Sequence, residues 1–192
     1  VHPSVGRFLP GAFFRKGRGT VIITGTLVCI RAIEYADLPF LRRLMNDASI
    51  EAQTIDTHFP VSEKAQRAWY EQLDEQKGLR CIIENREHQC PVGYLSITDI
   101  AHRNQNAVVA IQMDTASHCR TAGDMDEVFS LMTAFCFNEL NLQRLQAEVL
   151  ADNLLSIKNL LKHGFEREGI LRRKCYKHGK WNDIEIYSLL RN

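Results

Sequence analysis

The stretch "SHCRTAGDMDE", residues 117–127, sets Arg120 three positions ahead of Gly123, just before a segment of helical periodicity. A basic residue and a glycine at the mouth of a helix are how several folds turn backbone N–H groups toward a pyrophosphate. The first amides of a helix lack an intrahelical acceptor, and the helix dipole favours an anion there. Two carboxylates, Asp124 and Asp126, stand at the same helix start. They suit the dipole, yet they would repel a bound diphosphate unless turned outward.

Hydrophobic periodicity supplies the elements that must hold this loop. "TLVCIRAI" (26–33) reads as a strand, and "EYADLPFLRRLMND" changes to helical spacing with Leu38, Leu41 and Leu44 on one face. Ser62 caps a second helix that carries a Trp69/Leu73 stripe. "LRCIIEN" and "PVGYLSITDI" flank the polar turn "REHQC" as a hairpin, and "NAVVAIQMD" (106–114) is the strand that feeds the loop. Val128, Leu131, Met132, Phe135 and Cys136 predict a helix over 124–140, and "LQRLQAEVL" predicts the next strand. Asn153 caps a helix whose expected inner face is Leu154, Ile157, Leu160 and Leu161, with Gly164 as its left-handed stop. "HGKW" turns between two closing strands. The order predicts one α+β domain with helices on both faces of a mixed sheet.

Composition bounds the partners. The 192 residues are 45% hydrophobic, enough for one soluble globular domain with a sizeable core. Twenty-four Lys and Arg against 23 Asp and Glu give a net charge of +1, so no nucleic-acid or acidic-membrane partner is expected from the overall field. No apolar run reaches the roughly 20 residues that span a bilayer. The six cysteines form no CxxC pair, which predicts reduced cytoplasmic thiols and neither a metal site nor a disulfide framework. Residues 1–25 read as an N-terminal extension, and 26–192 as the domain.

The order of elements, with the loop in that place, resembles the GNAT acetyltransferase superfamily. Its phosphate motif is Arg/Gln-x-x-Gly-x-Gly/Ala, and Arg120, Gly123 and Met125 occupy the three set positions. Asn153, Ser156, Gly164, Phe165, Glu168, Gly169, Gly179, Trp181, Asp183 and Tyr187 are similar to the branch of ribosomal-protein alanine and spermidine N-acetyltransferases. The resemblance covers about 26–192. It implies a GNAT fold, a mixed and mostly antiparallel sheet with helices on both faces. It also implies a cytoplasmic enzyme that moves an acetyl group from acetyl-CoA, as cosubstrate, to a primary amine: a protein N-terminus or a small amine such as a polyamine. A homodimer is implied too.

Carried over residue by residue, the resemblance implies that Met113, Arg120, Thr121, Ala122, Gly123, Asp124, Met125, Asn153 and Ser156 face the cosubstrate. Ser156 would stand near the leaving thiol. Glu148 is the expected base, or else an ordered water takes that role and Glu148 is a strand carboxylate facing solvent. His58, Trp69 and Asp183 are expected on the amine side, with Trp69 equally readable as a core residue. Met125 stands where the pattern has a small residue, Ala110 where it often has glutamate and Leu160 where it often has tyrosine. These departures predict a weakened pyrophosphate loop, and the alternative reading is a non-catalytic GNAT-fold binding module.

Overall fold

The computed structural model describes residues 13–17, 20–55, 59–74 and 78–191. Nine strands form one sheet in the order β1-β2-β3-β4-β5-β6-β7-β9-β8. The strands are β1 (Phe13–Gly17), β2 (Thr20–Thr24), β3 (Val28–Ala32), β4 (Gly78–Asn85), β5 (Cys90–Ala101), β6 (Asn106–Met113), β7 (Arg144–Leu150), β8 (Glu166–Lys177) and β9 (Lys180–Leu190). The helices are α1 (Leu38–Met45), α2 (Ala48–Gln53), α3 (Glu63–Glu71), α4 (Asp124–Ala134) and α5 (Leu154–Lys162). Every neighbouring pair of strands is antiparallel except β6 and β7. The α+β expectation therefore holds.

Alternation along β4 explains the two layers of helices. Ile83 joins Ile30, Leu95, Ile97, Val109, Val128 and Met132 in the larger core, which α4 covers. Its neighbour Ile82 points the other way, into a second cluster with Leu41, Leu44 and Ile50. Trp69 packs half-buried against that second cluster.

Three helices start where the sequence offers an oxygen. Asp47 accepts from the amides of Ser49 and Ile50 at α2, Ser62 from Ala65 at α3, and Asn153 from Ser156 at α5. At α4 the N-cap is Gly123, at φ 96° and ψ −11°, a left-handed conformation that costs a residue with a Cβ. The expected Gly164 stop holds, at φ 83°.

Four expectations need correction. Residues 13–24 of the expected extension include β1 and β2, which continue the sheet through β3. The helix expected over 124–140 ends at Ala134, and residues 135–139 form a wider π-type turn that keeps Cys136 fully enclosed. On α5, Leu154 and Leu161 are 73% and 54% exposed; Leu160 is buried and Ile157 packs partly against the core. Two stripes were available there, and packing chose the one through Asn153, Ile157 and Leu160. Finally, the sulfurs of Cys90 and Cys119 meet in a disulfide across 29 residues of sequence, where free thiols were expected.

Candidate active site

β6 and β7 pair only through 106–108 with 144–146, and beyond Val108 they diverge. A cavity of about 210 Å³ opens at the divergence. Ala110, Ile111 and Gln112 on the unpaired stretch of β6 face Glu148 on β7 across it. Met125 and Phe129 of α4, with Ser156 and Leu160 of α5, close one side, and Gln53, Thr54 and Ile55 close another. Strands that part in this way leave backbone N–H and C=O groups on their facing edges without ladder partners.

The mouth of α4 borders the same cleft. Asp124 is fully buried and turned back on the loop: it accepts from the Thr121 amide at 2.7 Å and from the Thr121 hydroxyl. Asp126 turns outward to Lys162 at 2.6 Å and His163 at 3.0 Å. The Lys162 ammonium holds the Asp126 carboxyl below the usual carboxylate range, while burial holds the His163 imidazolium pKa down. Glu127 accepts from the amides of Thr26, Leu27 and Val28 at 2.6–2.7 Å, tying the first turn of α4 to the turn before β3. All three carboxylates thus have partners of their own. The loop amide of Thr121 is occupied, whereas the N–H groups of Ala122, Gly123, Met125 and Asp126 meet no acceptor among the described residues. Arg120 Nε is enclosed beside them, also without an acceptor.

The expected site residues divide accordingly. Met125, Glu148, Asn153 and Ser156 line the cleft, whereas Arg120 to Asp124 form the loop at the start of α4 and do not themselves line it. Met113 is a buried core residue that does not line it. Asn153 is occupied on both sides: Oδ1 caps α5, and Nδ2 donates to the Gln53 carbonyl at 3.1 Å. Asp183 accepts from the Arg173 amide at 2.7 Å and pins an irregular stretch of β8, away from the cleft. Trp69 is half-buried against the second core and does not line the cleft, and His58 lies outside the described residues. Glu148 is exposed and accepts from Gln146 Nε2 at 3.2 Å, so the carboxylate reaches both solvent and cleft.

Sequence reasoning missed Gln112, whose Oε1 is enclosed at the cleft wall without a donor. The one available signal was a polar residue in the apolar run "AVVAIQM". Nothing local pointed to Gln53–Ile55, which reach the cleft from more than 90 residues upstream of Glu148.

A nearly all-antiparallel sheet with one splayed parallel pair, and a helix opening its amides beside the split, defines a GNAT-type acetyltransferase fold. The chain belongs to the acetyltransferase (GNAT) domain family, whose model matches residues 28–166. It is similar to the uncharacterized N-acetyltransferase YoaA of Bacillus subtilis, 32% identical over 117 residues, which is 61% of this chain and 65% of that protein. Among solved structures it resembles spermidine N-acetyltransferase from Vibrio cholerae in complex with CoA and spermine. That match has a TM-score of 0.77 at 19% identity and covers 86% of this chain and 96% of the other. The RimL ribosomal alpha-N-protein acetyltransferase in complex with coenzyme A matches with a TM-score of 0.76 at 20% identity, over 88% and 97% of the two chains.

Proposed function

We propose that this chain is an acetyl-CoA-dependent N-acetyltransferase whose acceptor is a primary amine, either a protein N-terminus or a small amine such as a polyamine. The observation that carries it is the set of four open amides at the α4 mouth, with the enclosed Arg120 Nε beside them, at the border of the β6/β7 split. A diphosphate supplies the acceptors those donors lack without needing a desolvated lysine. Acetyl-CoA brings the activated acetyl group as a thioester. The fold relatives that hold CoA support that choice, as do the spermine bound to one and the ribosomal protein named for the other.

On this reading each wall has its part. The unpaired edge of β6 donates N–H to the thioester oxygen as charge develops there. Gln112 Oε1 accepts from the incoming ammonium, which meets its want of a donor. Glu148, through a water, takes the proton that the ammonium must lose before attack. Ser156 stands on the α5 side, where its hydroxyl donates to the departing thiolate. Proximity in the ternary complex supplies much of the remaining acceleration.

The mouth carries two handicaps. Asp124 occupies the Thr121 amide, and Met125 fills cleft space where a small residue would let phosphate approach. These favour a weak hold on CoA, and in their extreme form they favour the non-catalytic binding module. Calorimetry with CoA, joined to a transfer screen over peptide N-termini, polyamines, aminoglycosides and amino sugars, separates the two. A measurable heat and an acetylated amine are expected. No heat and no thermal shift at about 1 mM CoA would leave the module reading standing. The cytoplasmic setting is proposed with the same cosubstrate, and no described helix is long and apolar enough to cross a membrane.

A further inference from the structure

Three side chains from the last third of the chain converge on the carbonyls of one short segment. Lys177 is 4% exposed at the end of β8; its Nζ donates to the Glu51 carbonyl and, at 2.8 Å, to the Thr54 carbonyl. The same ammonium lies 2.9 Å from Glu51 Oε1. Cys175 Sγ donates to the Ile55 carbonyl at 3.0 Å, and Asn153 Nδ2 donates to that of Gln53 at 3.1 Å. The end of a helix leaves its last carbonyls without intrahelical donors, and here foreign side chains satisfy them.

We propose that Lys177 is a positioning residue for the amine-binding half of the cleft. The inference rests on the transferase reading for the identity of that half. Met125 and Phe129 carry the cosubstrate mouth into one side of the cleft, so an amine in line with the thioester approaches from another. Gln53, Thr54 and Ile55 form such a wall. α2 has six residues, too few to hold a place by its own helical stability, and among the described residues no strand pairs with 53–55. Their position is therefore set by what grips them from outside.

A lysine suits the grip because one ammonium offers three donors, and three oxygens of residues 51 and 54 surround it. Glu51 balances the buried charge, and Lys177 in turn holds the Glu51 carboxyl below its ordinary range. The phosphate mouth is held separately, by Glu127 on the turn before β3 and by Asp124 on Thr121. Two independent holds mean that the two substrates respond to different residues. Cys175 and Lys177 also lie beyond residue 166, where the family match ends. Control of the amine thus falls to the C-terminal hairpin.

The test replaces Lys177→Met and Glu51→Leu together, so that no buried charge is left alone. Amide hydrogen exchange across 50–55 should quicken while exchange at the α4 mouth stays unchanged. In steady-state assays with acetyl-CoA and spermidine, an alanine-initiated peptide and an L-amino acid, KM for the accepted amine should rise about tenfold as positioning loosens. KM for acetyl-CoA should not move. Cys175→Ala, which removes one donor and few atoms, should give the same split at smaller amplitude if the double variant does not fold. Equal rises in both KM values, or unchanged exchange across 50–55, would overturn the proposal. If the wild-type protein gives no heat with CoA and acetylates no amine of these or of the wider screen, the amine assignment falls with the transferase reading. The exchange measurement still decides whether Lys177 holds the wall.

Discussion

Met125 is the residue at which sequence and cleft conflict most directly. Its side chain packs partly against the core and also lines the cleft at the first turn of α4. Shortening it frees space beside amides that have no acceptor, at no cost in helix propensity. Met125→Ala should therefore tighten CoA binding by about 1 kcal/mol, roughly fivefold in Kd by calorimetry. A Kd that stays the same or weakens would move the handicap to Asp124. Glu148 is tested by kcat: Glu148→Gln keeps the shape and removes the base. The expected fall is on the order of a hundredfold, with KM for acetyl-CoA unchanged. An unaltered kcat would assign the proton to water alone.

Among the elements, the last three strands are stitched by one carboxylate. Glu168 on β8 meets both Arg144 terminal nitrogens of β7 at 2.5 Å, and it accepts from the Ser188 hydroxyl of β9 at 2.7 Å. The Arg144 contact, helped by Ser188, brings the Glu168 carboxyl down to about 2 from an ordinary 4.5. A carboxylate depressed on folding adds stability that is present above the unfolded value and lost as pH falls through the folded one. The window here is pH 4.5 down to about 2. With the side chain 42% exposed, solvent screening limits the gain to about 0.5 kcal/mol. Glu168→Gln should flatten the thermal-stability profile across that window, costing about 0.5 kcal/mol near neutrality and converging with the wild type at the acid end. A slope in this window equal to that of the wild type would remove Glu168 from the account.

For the whole molecule, the question is whether the two cores on opposite sheet faces act independently. Ile82 and Ile83 are chain neighbours, both fully enclosed, in different clusters. Ile82→Val and Ile83→Val should each cost about 1 kcal/mol in denaturant unfolding. With no shared packing partners, the double variant should lose the sum of the two within about 0.5 kcal/mol. A markedly smaller or larger loss would mean that the sheet transmits strain between its faces.

Much of this molecule was written locally. Ser62 and Asn153 could be read as caps because a side-chain oxygen one position before a periodic run meets amides that the helix itself leaves open. The hairpin of β4 and β5 and the strand before the loop followed from alternation and turn residues, which act within a few positions. The three-residue spacing of Arg120 and Gly123 likewise marked the mouth of α4, because helix amides need only the next turn to be presented. What the chain alone could not disclose depended on contacts across long separations. Asp124 and Asp126 share a charge and a helix turn, yet one is buried on Thr121 and the other reaches Lys162, since only the packed loop and α5 fix their directions. Trp69 went to the edge of a core and Asp183 to a strand irregularity, because tertiary packing assigns an aromatic or a carboxylate among roles its spacing leaves open. The meeting of Cys90 with Cys119, and of Lys177 with Glu51, was decided by the sheet that brings distant strands and helices side by side.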